Sequence, residues 1–445
     1  MSKSNGKTYQ TGIMLSIVGT LSIVTILVFA LSKPSTLNSQ QSIIDNKEQQ
    51  KSESIVLDIP QMAGFQPTMF DCNPKLEQPK NKMVTEYSTE HYKVNYKSPL
   101  RKDGPTSELT EVIPLADRAL LHPLAGAIIG DSIGANYEFK EYNTHDINFS
   151  LYNNGKAGDR TGITDDSTLT IATAQALMQM IKTGIKFVQT NAIQIYQHFS
   201  HFLVQFVNMA EDKIGVMMRF KNRGWFGGNF YNIFIKNKGH RQHDSIGNGS
   251  GMRCSSIAYM CDSIEQCEMM SWLSAAPSHN APEGIKGAQA ISTFIFMVLH
   301  GYSRAQIVTY LQNRYGYNLD PNRIKQYKLI KDNGYQDETC PPTVPVSIII
   351  ATYAPDFETA LRWAVSVGGD SDTIADMVCA MVYPYFWSCD PGIKPIQEEV
   401  EKRLQQQYPF FHEPYVACNN FMVKNAPKIN GDILDIALTK VKHQI

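Results

Sequence analysis

An all-α fold is what this sequence predicts, and three observations carry that expectation. From about Pro114 onward, apolar residues recur at i, i+3 and i+4 through one segment after another. Gly, Pro, Asn and Asp separate those segments, as turn residues do between helices. Stretches alternating apolar and polar residues, the mark of a half-buried strand, are scarce. Of the 445 residues 43% are hydrophobic, which is enough to fill a packed core. At this length, one large domain with appendages is expected.

The appendages come first. Residues 1–10 form a short segment carrying Lys3 and Lys7. No charge occurs from Thr8 to Ser32, and Ile13 to Leu31 is rich in Ile, Leu and Val. An apolar run of about twenty residues matches the thickness of a bilayer core. Residues 11–32 are therefore expected to be a transmembrane helix, making the chain a single-pass membrane protein. The alternative is a signal peptide cleaved near Ala30-Leu31-Ser32, with the remainder secreted. The basic N-terminus is expected to stay cytoplasmic. Residues 33–113 read as a low-complexity tether, because the polar stretch from Asn38 to Ser54 has too little apolar surface to fold alone.

The helical domain is expected to span 114–412. Its clearest periodic runs are Ala116 to Ile129, Ser167 to Thr183, Ala192 to Met209, Ile285 to His300 and Phe357 to Val367. In the first, Gly126, Gly130 and Gly134 recur every fourth residue, a spacing that lets another backbone approach a helix closely. Glu138 follows as a candidate metal ligand or acid/base. Pro282 suits the first turn of a helix. Residues 413–445 are expected to pack on the domain as a C-terminal extension.

Two acidic clusters lie about two hundred residues apart, Thr164-Asp165-Asp166-Ser167 and Gly368-Gly369-Asp370-Ser371-Asp372-Thr373. The first, read alone, is a helix cap. One residue suffices for a cap, however, and two adjacent acids point in different directions. In the second cluster, a turn can aim Asp370 and Asp372 at one ion. An EF-hand is excluded, since its spacing and terminal Glu are absent. Four carboxylates in one pocket would repel each other strongly, and hard divalent cations relieve that repulsion. The run Ser245-Ile246-Gly247-Asn248-Gly249-Ser250-Gly251-Met252-Arg253 can cradle phosphate oxygens or be a flexible turn. Arg253 could equally be structural. His279 precedes a proline-started helix and could donate to a phosphate or a ribose hydroxyl.

Other chemistry finds little support. Net charge is −1 and no basic run with interleaved aromatics occurs, so no direct nucleic-acid binding is expected. Eight cysteines contain no CxxC pair, which argues against a zinc site and for free buried thiols.

The motifs GxxxGDSxG…EF, TDDS, GNGSGMR, SHNAPEGIKGAQA and VGGDSDTIADM, in that order from about 120 to 385, resemble the ADP-ribosylglycohydrolase family. The resemblance implies a compact all-α domain around two Mg2+ ions, with Mn2+ a possible substitute. It implies metal ligation by Thr164, Asp165, Asp166, Asp370, Asp372 and Thr373, and a metal- or substrate-facing Glu138. It implies diphosphate and ribose binding by Ser245, Gly247, Asn248, Gly249 and His279. Glu138, Asp165 and Asp166 are the candidate catalytic residues, as acceptors of a proton from the attacking water. The implied partner is an ADP-ribosylated protein or a small ADP-ribose conjugate, linked through arginine, serine, poly(ADP-ribose) or an O-acetyl group. Acceptor choice is expected to lie in rim loops at Trp225 to His243 and Tyr317 to Pro342. The alternative is an inactive binding or structural protein of the same fold, tethered to a membrane.

The sequence departs from the family pattern in places. Cys379 to Trp387 is bulkier than the small residues usual there, which alters packing behind the site. Ile246 stands where some relatives have an aromatic residue. Arg223-Gly224-Trp225-Phe226-Gly227 resembles the family's Arg-Gly-Tyr-Gly segment with altered aromatics.

Overall fold

A computed structural model of the chain describes residues 121–139, 149–152, 162–214, 226–324, 338–387 and 389–427. The expected membrane helix at 11–32, the tether at 33–113, Arg223 to Trp225 and the last residues from 428 lie outside the described residues. Among the described residues, no helix is long and apolar enough to cross a membrane.

The architecture is helical, and no strand occurs among the described residues. The helices are α1 (Ala125–Gly134), α2 (Asp165–Lys182), α3 (Ala192–Ile214), the single turn α4 (Gly249–Met252), α5 (Ile264–Ala275), α6 (Pro282–Leu299) and α7 (Arg304–Tyr315). They continue with α8 (Cys340–Tyr353), α9 (Phe357–Ser366), α10 (Ser371–Phe386), α11 (Ile393–Gln407) and α12 (Pro409–Asn425).

The central element is α10. All sixteen of its residues are buried, the acids Asp372 and Asp376 among them. It packs against α1, α9, α8 and α6. The ten residues of α1 are buried too, and the glycine spacing explains how. A Cβ on Gly126 would lie 2.5 Å from the Cys379 carbonyl oxygen, and one on Gly134 would lie 2.5 Å from Asp372 Cα. The stripe is a backbone-to-backbone seam that fixes the register of α1 on α10.

Observed helices track the periodic runs with shifted ends. α1 starts at Ala125, and residues 116–120 of the expected run lie outside the described residues. It continues through Gly134, because the seam favours glycine there. α12 runs across residue 412, where the expected domain ends. Phe411, Tyr415, Cys418 and Met422 are buried along it, and it packs on α2 and α11. The hydrophobic face of residues 409–425 therefore makes the first part of the extension integral to the domain.

Candidate active site

Both acidic clusters sit at helix N-termini, which favour negative charge. Thr164 is extended, with φ −116 and ψ −157, and caps α2 by accepting from the Asp166 N–H at 3.3 Å. Asp165 and Asp166 are the first two residues of the helix. Two consecutive left-handed glycines, Gly368 at φ 69 and Gly369 at φ 72, turn the chain sharply before α10. A side chain at either position would strain that turn. Asp370 then ends the turn, and Asp372 lies in the first turn of the helix.

The seam between α1 and α10 brings the clusters together. Carboxylate oxygens of Asp131, Asp166 and Asp372 lie within 4.8 Å of one another, as do those of Glu138, Asp370 and Asp372. Asp372 belongs to both groups. Glu138 is held at the rim by its neighbour Phe139, which has φ 47 and donates its N–H to the Gly369 carbonyl at 2.9 Å. Asp165 keeps part of its surface open to solvent. The Thr373 hydroxyl lies 3.9 Å from Met252 Sδ and hydrogen-bonds to Asp370.

Crowded buried carboxylates resist ionisation. Burial pushes the Asp372 carboxyl well above its usual range, and Glu138, Asp166, Asp370 and Asp131 push it further. Asp166 is raised well above that range by burial, then by Asp131 and Asp165. Asp165 is raised well above it by burial, then by Glu138. Burial raises Asp370 as well, opposed by a hydrogen bond from Asn248. Asp166 Oδ1 is buried without a hydrogen-bond partner. An oxygen-only set with excess negative charge and an orphaned oxygen fits a hard divalent cation.

A second wall meets this centre where Asn248 Nδ2 donates to Asp370 Oδ2 at 2.7 Å. Asn248 belongs to the glycine-rich loop. The Gly247 N–H donates to Ser245 Oγ at 2.9 Å, and isolated bridges join Gly247 to Thr339 and Asp244 to His279. His279 Nε2 faces the loop, where a Cβ on Gly249 would lie 3.1 Å from it and one on Gly247 3.3 Å. The glycines thus make room for the imidazole. Arg253 is fully buried and structural. It donates to the carbonyls of Gly249 at 3.0 Å and Ser274 at 2.9 Å, and to Ser278 Oγ at 2.9 Å. Ser278 Oγ in turn lies 2.8 Å from His279 Nδ1. When Ser278 accepts from Arg253 and donates to Nδ1, the proton of neutral His279 is on Nε2, toward the loop. Burial, then Arg253 and His243, hold this imidazole well below its ordinary pKa, so it is neutral near pH 7.

The structure thus gathers Thr164, Asp165, Asp166, Glu138, Asp370, Asp372 and Thr373 at one centre. Ser245, Gly247, Asn248, Gly249 and His279 form the adjoining wall. Sequence reasoning passed over Asp131, although a lone acid among the Ala, Ile and Gly of a buried helix is a signal of its own. Asp376 was also passed over. It lies one turn after Asp372, is fully buried, and neither carboxylate oxygen has a hydrogen-bond partner.

A family model described as ADP-ribosylglycohydrolase matches residues 114–382. The chain belongs to the ADP-ribosylglycohydrolase family. Membership makes it a glycosidase-type hydrolase, and the acidic centre suits a family that depends on metal. A solved structure titled "ADP-ribosylglycohydrolase-related protein complex" is similar at 16% identity and a TM-score of 0.46, covering 69% of this chain and 99% of that one. No curated protein matches the chain.

Proposed function

We propose that this ADP-ribosylglycohydrolase is an active Mg2+-dependent enzyme, with Mn2+ a possible substitute. It cleaves the N- or O-glycosidic bond of an ADP-ribosylated side chain or small conjugate and releases ADP-ribose. Residues 11–32 would hold it to a membrane as a single-pass anchor. The observation that carries the enzymatic reading is the convergence of the two acidic clusters, sharing Asp372, at a place where burial alone disfavours their charge.

Thr164, Asp165, Asp166, Asp370, Asp372 and Thr373 would hold the metal. Bound divalent cations lower the pKa of a water and orient ribose hydroxyls. Glu138, at the rim, and Asp165, partly open to solvent, are placed to accept a proton, and Asp166 is the third candidate. The same carboxylates would favour an oxocarbenium-like transition state. Neutral His279 offers its Nε2–H to a phosphate or ribose oxygen, and the loop from Ser245 to Gly249 supplies the surface beneath it. Asn248 couples that surface to Asp370, so substrate and metal positions move together.

The test is release of free ADP-ribose from ADP-ribosyl-arginine and ADP-ribosyl-serine peptides by the full-length chain, in Mg2+ and in EDTA. Asp370→Ala/Asp372→Ala is run alongside. Release that requires both the metal and the two aspartates is expected. Equal release in EDTA, or by the double variant, would overturn the metal-dependent reading. No release from either peptide by a folded, Mg2+-binding protein would refute action on those two acceptors.

A further inference from the structure

Asp131 is absent from the ligand set implied by the family resemblance, yet it stands between the two acidic clusters. It lies on α1, is fully buried, and is fixed against α10 by the glycine seam on either side of it. Its carboxylate reaches across to the N-terminus of α2. Oδ2 accepts from the Thr164 N–H at 2.9 Å, from the Ser167 N–H at 3.0 Å and from the Ser167 hydroxyl. Oδ1 accepts from the Thr164 hydroxyl at 2.7 Å. A carboxylate has about four acceptor sites, so these four donors occupy most of its capacity. Asp131 is therefore poorly equipped to be a metal ligand, despite its nearness to Asp166 and Asp372.

The Thr164 hydroxyl has one proton and two nearby acceptors, Asp131 Oδ1 at 2.7 Å and Asp166 Oδ2 at 3.0 Å. A hydroxyl that ligates a cation must turn a lone pair to it and give its proton to something else. If Asp166 took the proton, that carboxylate would lose an acceptor site to Thr164. If Asp131 accepts that hydrogen bond, Asp166 Oδ2 stays free, and Thr164 keeps one lone pair beside the one that accepts from the Asp166 N–H. Groups behind the ligands commonly orient them in this way, and their loss typically costs about 10–100-fold in metal affinity.

We propose that Asp131 is a positioning residue for the metal centre: it accepts the hydrogen bond of the Thr164 hydroxyl and so leaves a Thr164 lone pair and Asp166 available to the cation, joining α1 to α2. The inference rests on the metal-dependent reading above. Mg2+ binding to the full-length chain, measured by titration calorimetry, tests it without recourse to activity. Asp131→Asn replaces one acceptor oxygen by a donor, and it is expected to weaken Mg2+ binding about tenfold or more. Thr164→Val is expected to weaken it too. Because Asp131 acts through Thr164, the double variant should bind no more weakly than Thr164→Val alone. Ser167→Ala removes a donor to Asp131 but leaves the Thr164 contact; it should lower the melting temperature and keep the Kd within about twofold.

An unchanged Kd in Asp131→Asn, with only a lower melting temperature, would reduce Asp131 to a helix cap and overturn the proposal. So would additive losses in the double variant, which would make Asp131 a ligand in its own right. Should Asp131→Asn not fold, Asp131→Glu keeps the charge but moves the carboxylate by one methylene. It is expected to bind Mg2+ more weakly, and a wild-type Kd would overturn the proposal. Absence of Mg2+ binding by the wild-type chain would instead remove the metal-dependent reading, and this inference with it.

Discussion

Replacing Gly130 by alanine tests the seam on which the whole centre depends. A Cβ there would lie 2.2 Å from the Ala375 carbonyl oxygen, 2.3 Å from its carbon and 2.5 Å from the Asp376 nitrogen. Ordinary contact begins at 3.4 Å, so α1 must retreat from α10 by about 1.2 Å (3.4 − 2.2). All three opposing atoms are backbone, and no side chain can rotate away. Overpacking of a tight core costs about 1–3 kcal/mol, and a rigid seam belongs at the upper end. At about 2–4 °C per kcal/mol, the melting temperature should fall by roughly 6–12 °C. Asp131 is the next residue, and its bonds of 2.7–3.0 Å to Thr164 and Ser167 do not survive a shift of that size. Mg2+ binding should weaken in parallel. Calorimetric melts of the full-length chain in Mg2+ and in EDTA read both effects. Gly227→Ala serves as control, since a Cβ at Gly227 meets nothing within 4 Å. A Gly130→Ala protein that melts with the control and binds Mg2+ normally would refute the seam as the device that registers the site.

Acidic crowding predicts an unusual pH response. Burial holds the folded carboxyls of Asp165, Asp166, Asp370 and Asp372 above the ordinary carboxylate range. For such groups, stability is fully present below the unfolded pKa and is lost as pH rises through the folded one. In EDTA, wild type should therefore lose stability from about pH 4 toward neutrality more steeply than Asp372→Asn; equal slopes would count against the cluster as the cause, and Mg2+ should flatten the wild-type slope. Asp376 has two buried oxygens without partners, and an unsatisfied buried group costs about 1–3 kcal/mol. Asp376→Ala should thus raise the melting temperature in EDTA, less the penalty of a small cavity, and a clear fall would show that Asp376 has a stabilising role of its own.

Local patterns determined a good deal. The 3.6-residue period of the runs from 167, 192, 285 and 357 is written in consecutive residues, and helices follow it there. Thr164 before two acids and glycines before Asp370 likewise announce helix starts, because caps and turns depend on a few neighbouring atoms. The acidic character of the centre was legible for the same reason, since residue type decides which ions a group can hold. What sequence could not supply was the pairing. Which backbone Gly126, Gly130 and Gly134 press against is a question about α10, some two hundred and forty residues away. Only their seam makes Asp372 a member of two carboxylate groups. The role of Arg253 is settled by the Gly249, Ser274 and Ser278 oxygens that surround it, and that of Asp131 by the donors of α2. Distances of this kind are set by packing across the fold, where no residue's own neighbours in the chain carry the information.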